Sequence, residues 1–157
     1  MIDESIFAEK PLPQGMSVLI VEPDRQMAVF YQYLLQSQQY VAVPVTSVED
    51  AMAALATDPQ RYVGAVVDID NAEAIGWEFV KQLRLDKDCG ELPVLVIAEL
   101  IGTRTVFAQM RQLCDAIILK GDFEIPRFHE QLTGIIRDRM GAGSGENSFF
   151  NAETRFM

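Results

Sequence analysis

Between positions 17 and 140 the chain repeats one pattern, a short apolar run followed by a stretch with apolar residues at helical spacing. The runs are 17–21, 40–45, 63–67, 92–97 and 116–119, and Val and Ile dominate them. They are close to continuous in apolar residues, as expected of strands covered on both faces of a parallel sheet. The intervening stripes are Met27, Phe30, Tyr31, Leu34 and Leu35; then Val48, Ala51, Met52 and Leu55; then Trp77, Phe79, Val80 and Leu83. Val106, Phe107, Met110, Leu113 and Cys114 form the fourth, and Ile125, Phe128, Leu132, Ile135 and Ile136 the fifth. Such spacing marks the buried faces of amphipathic helices. Ser47 and Asp50 have the form of a capping box with Asp in place of Glu, and Pro126 suits a first helical turn. Strand–helix alternation of this kind builds βαβ units, a parallel sheet and helices on both of its faces.

Pro44 lies inside the second run. Proline cannot donate to a strand ladder, so this strand belongs at a sheet edge. That favours a flavodoxin-like, doubly wound α/β sheet of five strands in the order 2-1-3-4-5. Function in such a sheet sits just past the carboxyl ends of the strands. The central run, Val63-Gly64-Ala65-Val66-Val67, stops at Asp68, with Asp70 close behind and Gly76 starting a helical pattern. The first strand ends on Glu22, Pro23 and Asp24, and the fifth on Lys120. The 2-1-3-4-5 order brings these ends together. Clustered carboxylates repel and raise one another's pKa unless a cation is near. A hard divalent ion with oxygen ligands, Mg2+ foremost, answers that need, and Lys120 adds a fixed positive charge.

Composition removes several alternatives. The 157 residues suit one domain with a full core. A net charge of -10 argues against direct nucleic-acid binding, which needs a basic patch. No apolar run approaches the ~20 residues that span a bilayer. The acidic N-terminus lacks the basic start and apolar core of a secretory signal. Cys89 and Cys114 make neither a disulfide framework nor a metal spacing, and fit a reducing cytoplasm as structural thiols. His129, the single histidine, has no partner for Ser-His-Asp or Cys-His catalysis, and no Gly-rich phosphate loop is present. Trp77 reads as packing. The expected division is an N-terminal extension over 1–16, one domain over 17–140, and a flexible tail over 141–157 that starts with Gly-Ala-Gly-Ser-Gly.

The order and spacing of these features resemble the receiver domain of bacterial response regulators, over about residues 17 to 140. Val18-Leu19-Ile20-Val21-Glu22 is similar to the family's first strand and its leading acid. Asp68 with Gly76 eight residues on matches the spacing from the phosphorylated aspartate to the glycine of helix three. Leu92-Pro93-Val94-Leu95-Val96-Ile97 resembles the fourth strand, and Lys120 stands where the family has its lysine. The resemblance implies a cytoplasmic two-component signalling protein that is not an enzyme in its own right. Asp68 is then the phosphoacceptor for a histidine kinase or phosphotransfer protein, and Lys120 pairs with a phosphoryl oxygen. Mg2+ is implied at Glu22, Asp24, Asp68 and Asp70.

The departures are as informative. Pro23 replaces the second acid of strand one, so a direct metal ligand is missing and Mg2+ binding is expected to be weak. Ala98 stands where the family has the switch hydroxyl, and Ile117 where it has the switch aromatic. Ala72 and Gly121 replace two usual prolines. The chain therefore resembles a degenerate receiver. Output is expected through protein contacts, a homodimer among them, on the face of helix four, strand five and helix five, where Leu100-Ile101-Gly102 suggests an exposed apolar patch. The alternative is a pseudo-receiver, an interaction or dimerisation adaptor that works without phosphorylation. A flavin-binding relative of the same fold is disfavoured, because the first loop is not rich in Ser, Thr and Gly.

Overall fold

Strands Ser17–Val21 (β1), Val41–Val45 (β2), Tyr62–Ile69 (β3), Val94–Ala98 (β4) and Ala116–Leu119 (β5) form one sheet in the order β2-β1-β3-β4-β5. All four pairings are parallel. This is a computed structural model that describes residues 16–70, 75–99 and 104–141, with backbone only at 104–106. The expected extension, nearly all of the tail, and the Leu100-Ile101-Gly102 segment lie outside the described residues. Among those described, the helices are Arg25–Gln36 (α1), Val48–Thr57 (α2), Ile75–Leu85 (α3), Arg104–Leu113 (α4) and Ile125–Met140 (α5).

Alternation along the strands sorts the core into two layers. Leu19, Val21, Ala65, Val67, Val94 and Val96 face one way, against Ala51, Leu55, Phe79, Leu83 and Met110 of α2, α3 and α4. Val18, Ile20, Val66, Leu95, Ile97 and Ile118 face the other way, against Tyr31, Leu34, Phe128 and Leu132 of α1 and α5. Residues one apart on a strand point to opposite faces, so runs buried on both sides must be apolar throughout.

β2 is the edge strand that Pro44 requires. Val41 N donates to Met16 O, and Val45 O accepts from Glu22 N, so these residues turn their polar groups toward β1. Pro44 lies out of phase with them and exposed, and its missing N–H falls on the open side. Ser47 caps α2 by accepting from Asp50 N at 3.0 Å, and Pro126 occupies the first turn of α5. One residue of the expected α1 stripe differs: Phe30 is 37% exposed. It lies at the margin of the buried face and leans on Phe123, with ring centroids 5.9 Å apart.

Candidate functional site

The carboxyl ends of β1, β3 and β5 meet, and each brings a charged side chain. β3 runs one residue past Asp68, to Ile69. Asp68 shares the strand face of Val66, the face covered by α1 and α5, because residues two apart point the same way. It is 4% exposed. Lys120 opens a 3-10 turn, Lys120–Asp122, directly after β5. Its Nζ stands 2.9 Å from Asp68 Oδ1 and also donates to Asp70 Oδ1. Burial opposes the lysine charge, and the bonds to Asp70 and Asp68 more than offset it, leaving its pKa raised.

The other oxygen of Asp68 is also taken. Tyr31, one face of α1 above the sheet, donates its hydroxyl to Asp68 Oδ2 at 2.8 Å. Burial, then the Asp68 charge, push this phenol well above the usual tyrosine range, so it stays a donor. The sequence reading counted Tyr31 only as one member of an apolar stripe. A signal was present: a tyrosine on a buried helix face needs an acceptor for its hydroxyl, where Phe or Leu would not.

Glu22 is 3% exposed at the end of β1. Its Oε1 accepts from Asp24 N at 2.9 Å, bridging the Pro23 turn. Its Oε2 has no hydrogen-bond partner. Burial and the neighbouring Asp68 push its pKa up to about 8, so at neutral pH the carboxyl is largely protonated. Asp24 is drawn off to another task. It is the N-cap of α1, its Oδ1 accepting from Gln26 N at 2.9 Å and Met27 N at 3.4 Å. Such capping uses a carboxylate to satisfy the first N–H groups of a helix.

Receiver domains typically bind Mg2+ at an acidic pocket. The expected ligands Glu22, Asp24, Asp68 and Asp70 do not gather into such a set here. Among the described residues no three His, Cys, Asp or Glu side chains are grouped to hold a metal ion. The physical reason is that each acid is engaged otherwise. Asp24 caps a helix, Asp70 pairs with Lys120, Asp68 has a donor on each oxygen, and Glu22 favours its proton. The Lys120 ammonium supplies the positive charge that the cluster needs. The residues as arranged therefore do not fit a divalent ion.

The remaining candidates are packed into the fold. Ala98 and Ile117 are buried in the layer under α2, α3 and α4. Cys114 is buried with Sγ against Met110 O, and burial pushes both cysteine thiols upward, away from reactivity. His129 Nε2 lies 3.1 Å from Leu34 O, between α5 and α1. Trp77 is buried, with Lys81 Nζ 5.6 Å from its ring centroid.

Known proteins give a consistent comparison. No sequence-family profile matches the chain. A curated relative, the two-component response regulator-like protein APRR4 of Arabidopsis thaliana, is 28% identical over 87 residues, 55% of this chain. The match spans 29% of that relative's length. The signal receiver domain of a histidine kinase from Syntrophus aciditrophicus superposes with a TM-score of 0.68 at 20% identity, covering 78% of this chain and 91% of that one. Chemotaxis protein CheY4 of Vibrio cholerae gives 0.65 at 17% identity, covering 77% and 98%. The chain has the receiver fold. These likenesses are consistent with a degenerate receiver. Among the described residues no helix is long and apolar enough to cross a membrane.

Proposed function

We propose that this degenerate receiver is a signalling module, not an enzyme, whose output runs through protein–protein contacts and does not depend on a phosphoryl group. The observation that carries this reading is the packing at the two switch positions. Ala98 and Ile117 are 2% and 8% exposed, apolar, and part of one core layer. Ala98 pairs with Leu119 and Ile117 with Val96 in the ladder between β4 and β5. A ligand shifts a two-state equilibrium only by interacting differently with the two states. Ala98 has no hydroxyl to follow a phosphoryl oxygen, and Ile117 has no ring to turn in behind it. The missing charge-assisted hydrogen bond alone removes roughly 1.5–3 kcal/mol of bias.

One observation favours a second reading, in which Asp68 takes a phosphoryl group from a histidine kinase or phosphotransfer protein. The Lys120 ammonium, 2.9 Å from Asp68 Oδ1, supports it as a positive charge beside the carboxylate. The two readings separate in one experiment. Intact mass is measured after incubation with a small acyl phosphate and Mg2+, and amide exchange is compared with and without beryllofluoride. The expected result is the same exchange profile over 94–99 and 116–119 in both conditions. Strong protection there, with a base-labile mass gain absent in Asp68→Asn, would overturn the proposal in favour of the second reading.

A further inference from the structure

We propose that Tyr31 is a positioning residue that closes the acidic pocket, its hydroxyl occupying Asp68 Oδ2 and keeping divalent cations and phosphoryl donors off that carboxylate. The hydroxyl is aimed by packed rings rather than by a flexible chain. Tyr31 is 1% exposed. Its ring stacks on Phe128 at 6.4 Å and 21°, and tilts against Phe30 at 5.7 Å. Phe128 is itself fully buried on α5. The 2.8 Å bond to Asp68 therefore has little freedom to swing aside. With Lys120 on Oδ1, each oxygen of a nearly buried carboxylate already has a donor from the chain.

A second observation gives the direction of the effect. Glu22 is buried beside Asp68, and no N–H or hydroxyl of the chain donates to its Oε2. Removing the Tyr31 hydroxyl leaves Asp68 Oδ2 without its donor as well. A buried carboxylate oxygen stripped of its donor is costly, and a hard cation is a group that relieves it. Closure by Tyr31 thus replaces the charge balance that a metal would otherwise provide.

The inference rests on the reading above only in taking the wild-type chain to work without a phosphoryl group on Asp68. The test compares wild type with Tyr31→Phe, which keeps the ring and deletes the hydroxyl. Mg2+ affinity is read by calorimetry, and adduct formation by intact mass with a small acyl phosphate. Tyr31→Phe is expected to bind Mg2+ about tenfold more tightly and to gain an adduct that disappears when Asp68→Asn is added. A purely structural tyrosine, once removed, would not create binding. Tyr31→Leu, which also lacks the hydroxyl, is expected to show the same gain in affinity. Equal Mg2+ affinity and equal adduct in wild type and Tyr31→Phe would overturn the role of Tyr31. Its failure is separate from failure of the functional reading, which is signalled by wild-type exchange changes with beryllofluoride.

Discussion

At the scale of single residues, Glu22 ties the site to solution conditions. Its pKa rises from 4.5 to about 8 because burial, then the neighbouring Asp68, disfavour a second negative charge. The groups facing it are Asp68, Asp70 and the Tyr31 hydroxyl, with Asp24 contributing a backbone N–H and Lys120 holding the two aspartates. Between the unfolded and folded values the folded state holds a proton that the unfolded state has released. Stability therefore falls as pH rises from about 4.5 to about 8, and flattens above. Urea unfolding across pH 5 to 9 should show this slope, and Glu22→Gln, which cannot ionise, should largely remove it. A wild-type slope of opposite sign would mean that Glu22 is ionised in the fold. The acids and Lys120 were legible in the sequence because strand ends and chain order locate them. What each acid does was not, because Asp24 can serve a metal or a helix start equally well until its backbone neighbours are known. Tyr31 was missed for a related reason: helical spacing says which face is buried, not which partner a hydroxyl finds there.

At the scale of elements, the site depends on how closely α3 approaches the end of β3. A Cβ placed on Gly76 would stand 2.5 Å from Asp68 O and 2.7 Å from Val67 Cγ1. Backbone cannot yield as a flexible side chain does, so Gly76→Ala must push α3 off the strand. A loss of about 1–3 kcal/mol is expected by overpacking, with chemical-shift changes centred on 67–69. The sequence marked Gly76 by its spacing from Asp68, and the structure supplies the steric cause. At the other end of the sheet Arg84 has the opposite character. It reaches from α3 to Leu113 O at 2.5 Å, Gly90 O at 3.0 Å, Leu92 O at 2.7 Å and Asp115 Oδ2 at 3.0 Å. Asp115 in turn accepts from Val94 N at 2.7 Å. One side chain thus ties α3 to the end of α4 and to the start of β4. Arg84→Leu leaves three carbonyls without this donor, and denaturant unfolding should register a loss of about 2–4 kcal/mol. No periodicity announces such a residue, since an arginine on a helix reads as solvated until its loops are placed.

For the whole molecule, the strand order followed from one proline and the alternation of elements, because a doubly wound sheet leaves few other ways to bury continuous apolar strands. The same global view supplies a test of the pocket. The chain carries a net charge of -10, so any added salt relieves self-repulsion, and Mg2+ and Na+ do so alike at equal ionic strength. A specific site adds a separate term, since an ion that binds only the folded state stabilises it by about 2.7 kcal/mol at one hundred times its dissociation constant. For a domain of this size each kcal/mol moves Tm by roughly 2–4 °C. Because Asp24, Asp68 and Asp70 are already engaged within the chain, Tm in millimolar MgCl2 is expected to match that in EDTA with NaCl at the same ionic strength. Calorimetric scans of both solutions decide it. A Mg2+-specific rise of several degrees would mean that the ion outcompetes the Tyr31 and Lys120 donors and regroups the acids around itself, and the closed pocket would then be only one of two arrangements this fold can hold.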